Sequence, residues 1–246
     1  MPDDLPLIDR EKLPPIPSLW PPEAQPRHVY ALETIVFEDR ELQAVYKAAT
    51  AEYLAVALNR GWKRVLLATA VTGDPREIVQ VWQTPYPYPG TIDVSASTVT
   101  AAELNALREY RKFFEGVSRF ERTLFAPVPY DPGDERGILD RNDTLLLVRA
   151  NVKDGAMARL VQLKAEFFKP TVESPEHGWK LHCAGYVVSS ARPASTIVQC
   201  WKIPNANQLG VTMSRMSHKS DYLELVAPCI TGEEQNIYSC VSGSSD

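Results

Sequence analysis

Three polar side chains in the second half of the chain interrupt otherwise apolar runs: Arg149, His182 and Tyr186. The runs around them, 143–152 and 181–188, have the Val and Leu content and the length of strands. Alternate residues of a strand share a face. Leu146, Val148, Ala150 and Val152 form an apolar row suited to helices, and Leu147, Arg149 and Asn151 point the other way. On the next strand Leu181, Cys183, Gly185 and Val187 alternate with His182, Ala184 and Tyr186, so His182 and Tyr186 are expected on Arg149's side. An imidazole, a phenol and a guanidinium in one aromatic-walled cavity suit enolate or phenolate chemistry on a carbonyl compound. His182 would carry the proton, and Arg149 or Tyr186 would meet the developing oxyanion. Asn151, Gln199 and Trp201 are candidates to bind the ligand there, although alternation alone leaves the face of Gln199 and Trp201 open. The competing reading makes His182 and Tyr186 hydrogen-bonded core residues and Arg149 half of a buried ion pair.

Other chemistries find little support. The four cysteines, Cys183, Cys200, Cys229 and Cys240, form no CxxC pair, and no histidine sits at zinc-finger spacing. Free buried thiols are expected. His28, His177 and His218 are scattered, with no shared helical spacing that would hold a metal. Glycine-rich phosphate loops, GxSxG and HExxH are absent. A net charge of −5 with no Lys/Arg cluster argues against a nucleic-acid or anionic-membrane surface. No apolar run approaches bilayer-spanning length, and the acidic, proline-bearing N-terminus is unlike a signal peptide, so a cytoplasmic protein is expected.

The elements that must position these residues are legible from a repeat. Gly61-Trp62-Lys63 returns as Gly178-Trp179-Lys180, and Val79-Gln80-Val81-Trp82-Gln83-Thr84-Pro85 as Val198-Gln199-Cys200-Trp201-Lys202-Ile203-Pro204. Each copy reads as strand, helix, GWK turn, strand, turn, strand, second helix and last strand. In the first copy Leu42, Val45, Tyr46, Ala49 and Tyr53 keep helical spacing. In the second, Met157, Leu160, Val161 and Phe168 do so, with Lys164 breaking the apolar row. The expected fold class is α+β: two tandem ferredoxin-like βαββαβ units whose antiparallel sheets pack into a barrel with helices outside. The expected division is a proline-rich arm (1–27), a first unit (28–128), a linker (129–142), a second unit (143–231, its last strand over 221–230) and a C-terminal tail (232–246). Eight prolines in the arm exclude a helix or central strand there, and Trp20 is its one large anchor. The loop after Pro85 is long enough to shape a barrel mouth.

The second copy resembles the NIPSNAP-like branch of the dimeric α+β barrel superfamily, on Val152-Lys153-Asp154-Gly155, Gly178-Trp179-Lys180-Leu181 and Trp201-Lys202-Ile203-Pro204-Asn205-Ala206-Asn207. Asp154 stands where the family usually has proline. The resemblance implies the fold. It leaves function open, because the superfamily spans cofactor-free oxygenases, isomerases, cyclases and haem enzymes. The leading expectation is an enzyme for a hydrophobic carbonyl-containing or aromatic small molecule, with no tightly bound cofactor. A non-catalytic binding or interaction module is the alternative, and haem binding, with His218 as the nearest candidate ligand, is the third. Homo-oligomerisation is left open.

Overall fold

The computed structural model describes residues 28–59, 61–85, 100–101, 105, 108, 112–189, 195–207, 209–210 and 224–242. The proline-rich arm with Trp20, the loop after Pro85, most of both second helices and His218 lie outside the described residues.

Eight strands form one closed antiparallel barrel. They are β1 (His28–Phe37), β2 (Lys63–Ala70), β3 (Glu77–Pro85), β4 (Val117–Pro127), β5 (Thr144–Val152), β6 (Lys180–Ser189), β7 (Thr196–Ile203) and β8 (Ile230–Ser242). The order around the barrel is β1-β3-β2-β8-β5-β7-β6-β4. The first half therefore runs β4-β1-β3-β2 and the second β8-β5-β7-β6, the same permutation twice. Two seams close the barrel: β2 against β8 and β4 against β6. Gly185 makes the second seam possible, because a Cβ there would overlap the Ala126 carbonyl.

Helix α1 (Arg40–Asn59) follows β1. After β5 come α2 (Met157–Leu163), a π-helical segment (Lys164–Phe168) and α3 (Lys169–Val172). Both helical stretches stop at the GWK turn for one reason. Gly61 and Gly178 adopt φ of 78° and 67°, a region only glycine enters cheaply. Trp62 and Trp179 then donate backbone N–H bonds to Ala57 and Val172. The paired tryptophans meet beneath the helices at matching geometry. Trp62 and Trp82 lie 6.2 Å apart at 66°, and Trp179 and Trp201 lie 6.0 Å apart at 60°. The ladders agree too. Arg64 is opposite Trp82, Leu181 is opposite Trp201, and each strand then bulges by one residue, Val65 or His182.

The core has two layers. Tyr30, Leu32, Leu66, Val81, Phe125, Leu147, Cys183, Cys200 and Tyr238 belong to a buried cluster that draws on all eight strands, which makes it the barrel interior. Leu139 of the linker joins it. The tryptophans Trp62, Trp82, Trp179 and Trp201 belong to the outer layer, packed with Leu160, Leu163 and other helix residues.

Two expectations are corrected. The segment expected as a C-terminal tail supplies most of β8, and of the expected last strand over 221–230 the described residues 224–229 are helical and only Ile230 is strand. Its apolar Leu225-Val226 pair reads as strand, but Pro228 offers no N–H to a ladder. The polar run Thr231–Asn236 disguises a strand at a solvated barrel mouth. The second correction is the phase of β6. The bulge at His182 inserts one residue, so Cys183 and Val187 face the barrel and Ala184 and Tyr186 face the helices. No described helix is long and apolar enough to cross a membrane.

Candidate functional site

His182 and Arg149 do enter the barrel interior, where both tie the two halves together. His182 Nε2–H donates to the Val65 carbonyl at 3.2 Å, joining the two bulge residues. Burial drives the His182 pKa down to about 4, and Arg136 adds to the effect; the bond to Val65 opposes it. The imidazole is therefore neutral at pH 7. Arg149 donates from Nη2 to Thr34 Oγ1 (3.2 Å) and from Nη1 to Glu234 Oε1 (3.0 Å). Tyr186 does not join them. It is buried under the helices, displaced from the expected face by the bulge. Asn151 is also corrected: it is exposed near the end of β5 and accepts from Thr196 Oγ1 at 3.0 Å. The expected convergence of Arg149, His182 and Tyr186 is absent.

The linker closes one mouth of the barrel. Asp131 accepts from Ala184 N (2.6 Å), Gly133 N (2.9 Å) and Tyr30 OH (2.9 Å). Its carboxylate replaces the strand partner that β4 no longer provides beside Ala184. Arg136 donates to Tyr30 OH at 3.0 Å and to Gln83 Oε1 at 2.6 Å. Burial raises the Asp131 pKa, and these hydrogen bonds resist the rise.

Further buried polar groups lie in the outer layer, between sheet and helices. In the second half the π-helical turn carries Lys164 inward, 4% exposed. Such turns insert one residue into a helix and recur at functional sites. Lys164 Nζ donates to Gln199 Oε1 at 2.8 Å, and Gln199 Nε2 donates to Tyr130 OH at 3.1 Å. Lys164 Nζ stands 5.0 Å from the centre of the Phe168 ring. Phe168 in turn packs edge-on to Trp201 (5.5 Å) and Trp179 (6.4 Å). The indole N–H groups of Trp179 and Trp201 are buried and make no hydrogen bond to a described residue. Leaving each unpaired costs about 1–3 kcal/mol. Burial pushes the Lys164 ammonium well below the usual lysine range, and the charge of Glu233 opposes this. Ala184 is opposite Gln199 on β6. Gln199 and Trp201, whose face alternation left open, thus point to the helices.

The equivalent layer of the first half is anionic. Glu33, 2% exposed, receives Arg122 Nε at 2.8 Å and Trp82 Nε1 at 3.3 Å. It also contacts Gln80 Nε2, which is 2.9 Å from Tyr46 OH. Gln80 and Gln199 occupy matching positions, one bonded to a helix tyrosine and the other to a helix lysine. Sequence reasoning missed Glu33 and undervalued Lys164. The signals were there: Glu33 is the lone charge in its strand, and Lys164 the lone charge in an apolar helix row.

Among the described residues, Phe168, Trp179 and Trp201 pack edge to face in the second-half layer, while His182 faces the barrel and His28 lies against Tyr30 at the start of β1.

No family model and no curated protein matches the sequence. Solved structures do match its fold. A provisionally assigned monooxygenase from Lactobacillus acidophilus NCFM aligns with a TM-score of 0.61 at 8% identity, covering 89% of this chain and 99% of that one. An anthrone oxidase-like protein aligns at 0.51 with 11% identity, over 89% and 93% of the two chains. A provisionally assigned chlorite dismutase aligns at 0.51 with 12% identity, over 88% and 96%. The fold is that of the dimeric α+β barrels, with both ferredoxin-like halves in one chain.

Proposed function

We propose that the protein is an enzyme for a hydrophobic carbonyl-containing or aromatic small molecule, without a tightly bound cofactor. Its site is the helix–sheet layer of the second half. The observation that carries this reading is the buried chain Lys164–Gln199–Tyr130, walled by Phe168, Trp179 and Trp201. Burying a lysine and two unpaired indole N–H groups is costly, and such costs are commonly retained at functional sites. Aromatic walls select a flat apolar ligand. Lys164 meets the carbonyl end of that ligand, and the Gln199 amide N–H is the donor for negative charge developing on its oxygen, in the way oxyanion donors act. Oxygenation, isomerisation and cyclisation all build such charge. The fold shared with an anthrone oxidase-like protein agrees with this reading by analogy.

His182 and Arg149 hold the barrel halves together in this reading and take no part in turnover. The matched GWK turns and ladders support reading the halves as copies of one unit, the second of them NIPSNAP-like. Four buried free thiols suit a reducing cytoplasm. The experiment is a tryptophan-fluorescence titration with 1-naphthaldehyde, beside a visible spectrum of the purified protein. Saturable quenching that weakens tenfold or more in Lys164→Met, with no Soret band, is expected. Saturation unaltered in Lys164→Met removes the site from this layer, and an absence of quenching favours the non-catalytic interaction module.

A further inference from the structure

We propose that Lys164 forms an imine with an aldehyde or ketone ligand, so that the substrate is held covalently through its carbonyl carbon. This rests on the site proposed above and goes further in naming the nucleophile and the reacting group. The geometry is specific. Among the described residues, Lys164 Nζ hydrogen-bonds one side chain, through an acceptor that carries no charge, Gln199 Oε1 at 2.8 Å; the Glu233 carboxylate acts on it only through its charge. A carboxylate there would fix the nitrogen as an ammonium ion; an amide oxygen accepts equally well from a neutral amine, whose lone pair then remains free to attack. The direction of its pKa, lowered by burial, agrees with a neutral amine. The Phe168 ring face, 5.0 Å from the nitrogen, and the two indoles provide an apolar bed for the rest of the ligand.

The reaction balances within the protein and its ligand. The Nζ lone pair bonds to the carbonyl carbon, and the oxygen takes a proton from the amine to give a carbinolamine. That hydroxyl leaves as water with the second amine proton, and the C=N bond forms. No oxidant or metal is consumed.

Tyr130 marks the way in. It belongs to the linker rather than to a strand or helix, and its side chain is held by Gln199 Nε2. With Pro129, Asp131, Lys169, Glu173 and Leu181 it lines a surface cleft of about 650 Å³. A swing of this one phenol joins the cleft to Gln199 and Lys164.

The test uses benzaldehyde with sodium cyanoborohydride on the full chain, followed by peptide mass spectrometry. Benzyl alcohol, which has no carbonyl, serves as the matched probe in fluorescence titrations. The expected result is one benzyl group on Lys164, in preference to the exposed Lys63, Lys153 and Lys180, with the preference growing as pH falls from about 9 to about 6 because exposed amines become protonated. Tyr130→Ala should speed labelling of Lys164 severalfold and leave the exposed lysines unchanged; an unchanged rate overturns the Tyr130 route. Labelling confined to exposed lysines, with both probes still quenching saturably, overturns the imine and leaves the binding site standing. If neither probe quenches and Lys164 is not labelled, both readings fall. Lys164→Met, checked by far-UV circular dichroism, should lose the preferred label while the exposed lysines keep theirs.

Discussion

Replacing His182 by valine, the residue at the matching bulge in the other half, separates a cross-link between halves from a proton carrier. The wild-type imidazole has a folded pKa of about 4 against an ordinary 6.5. A depressed folded value means the unfolded chain takes up the proton first. The stability this site contributes is therefore complete above pH 6.5 and is lost as pH falls toward 4. The full gap corresponds to about 3 kcal/mol, of which about 2 kcal/mol is lost by pH 5. His182→Val removes that dependence and leaves the Val65 carbonyl without its donor, which costs about 1–3 kcal/mol at pH 7.5. Urea unfolding of both proteins between pH 7.5 and 5 measures the difference, and carboxylate titration common to both cancels. The wild type should lead at pH 7.5, and its lead should shrink or reverse by pH 5. Parallel profiles would refute a neutral, desolvated imidazole. If turnover per folded molecule also falls by 10²-fold or more, the placing of His182 outside the active site is wrong.

Three further outcomes follow from the geometry. Gly185→Ala, which drives a methyl into the Ala126 carbonyl at the β4–β6 seam, should cost about 1–3 kcal/mol in urea unfolding; a neutral result would mean that the seam is looser than described. Native protein should react slowly with a thiol reagent, since a hydrogen bond with Cys200 and burial hold Cys183 above its usual value and burial pushes Cys240 up to about 12, and denatured, unreduced protein should titrate as four free thiols. Exchanging a pair across the barrel, Thr34→Arg with Arg149→Thr, should be less damaging than the two single changes combined by about 0.5–3 kcal/mol, because Thr34 faces Glu121 in the register in which Arg149 faces Glu234; strict additivity would deny that the sites are equivalent.

The barrel was legible because its signals are redundant. Trp62, Trp82, Trp179 and Trp201, the GWK turns and the apolar rows of β1 and β5 all point to the same arrangement, so an error in one element does not change the whole. The site was not legible because two single-residue insertions control it. A bulge at His182 reverses the faces of everything after it on β6, which sent Tyr186 to the wrong side. A π-turn at Lys164 makes a residue that looks like a solvated break in a helix point into the core. Neither insertion leaves a mark in composition. β8 was hidden for a different reason: Glu233, Glu234, Gln235 and Asn236 sit at a barrel mouth, where burial no longer filters residue types.

Two like halves in one chain explain why polar residues gather at the barrel's centre without forming a site. In a barrel built from two identical chains, a residue near the two-fold axis meets its own copy. Arg149 would then face a second guanidinium, and His182 a second imidazole, at low dielectric and with no salt screening. Here Thr34 answers Arg149 and the Val65 carbonyl answers His182, pairs that only unlike halves can make. The same freedom reaches the outer layers. One holds a carboxylate, Glu33 with Arg122, in a closed ion pair. The other holds Lys164 against an amide, with no comparable partner for its charge. A carboxylate already paired with a guanidinium has little left to offer a ligand, whereas a buried amine hydrogen-bonded to an amide oxygen keeps the lone pair that the proposed reaction uses. The differences between the halves put structural polarity at the axis and in the first layer, and the amine that the proposed function requires in the second.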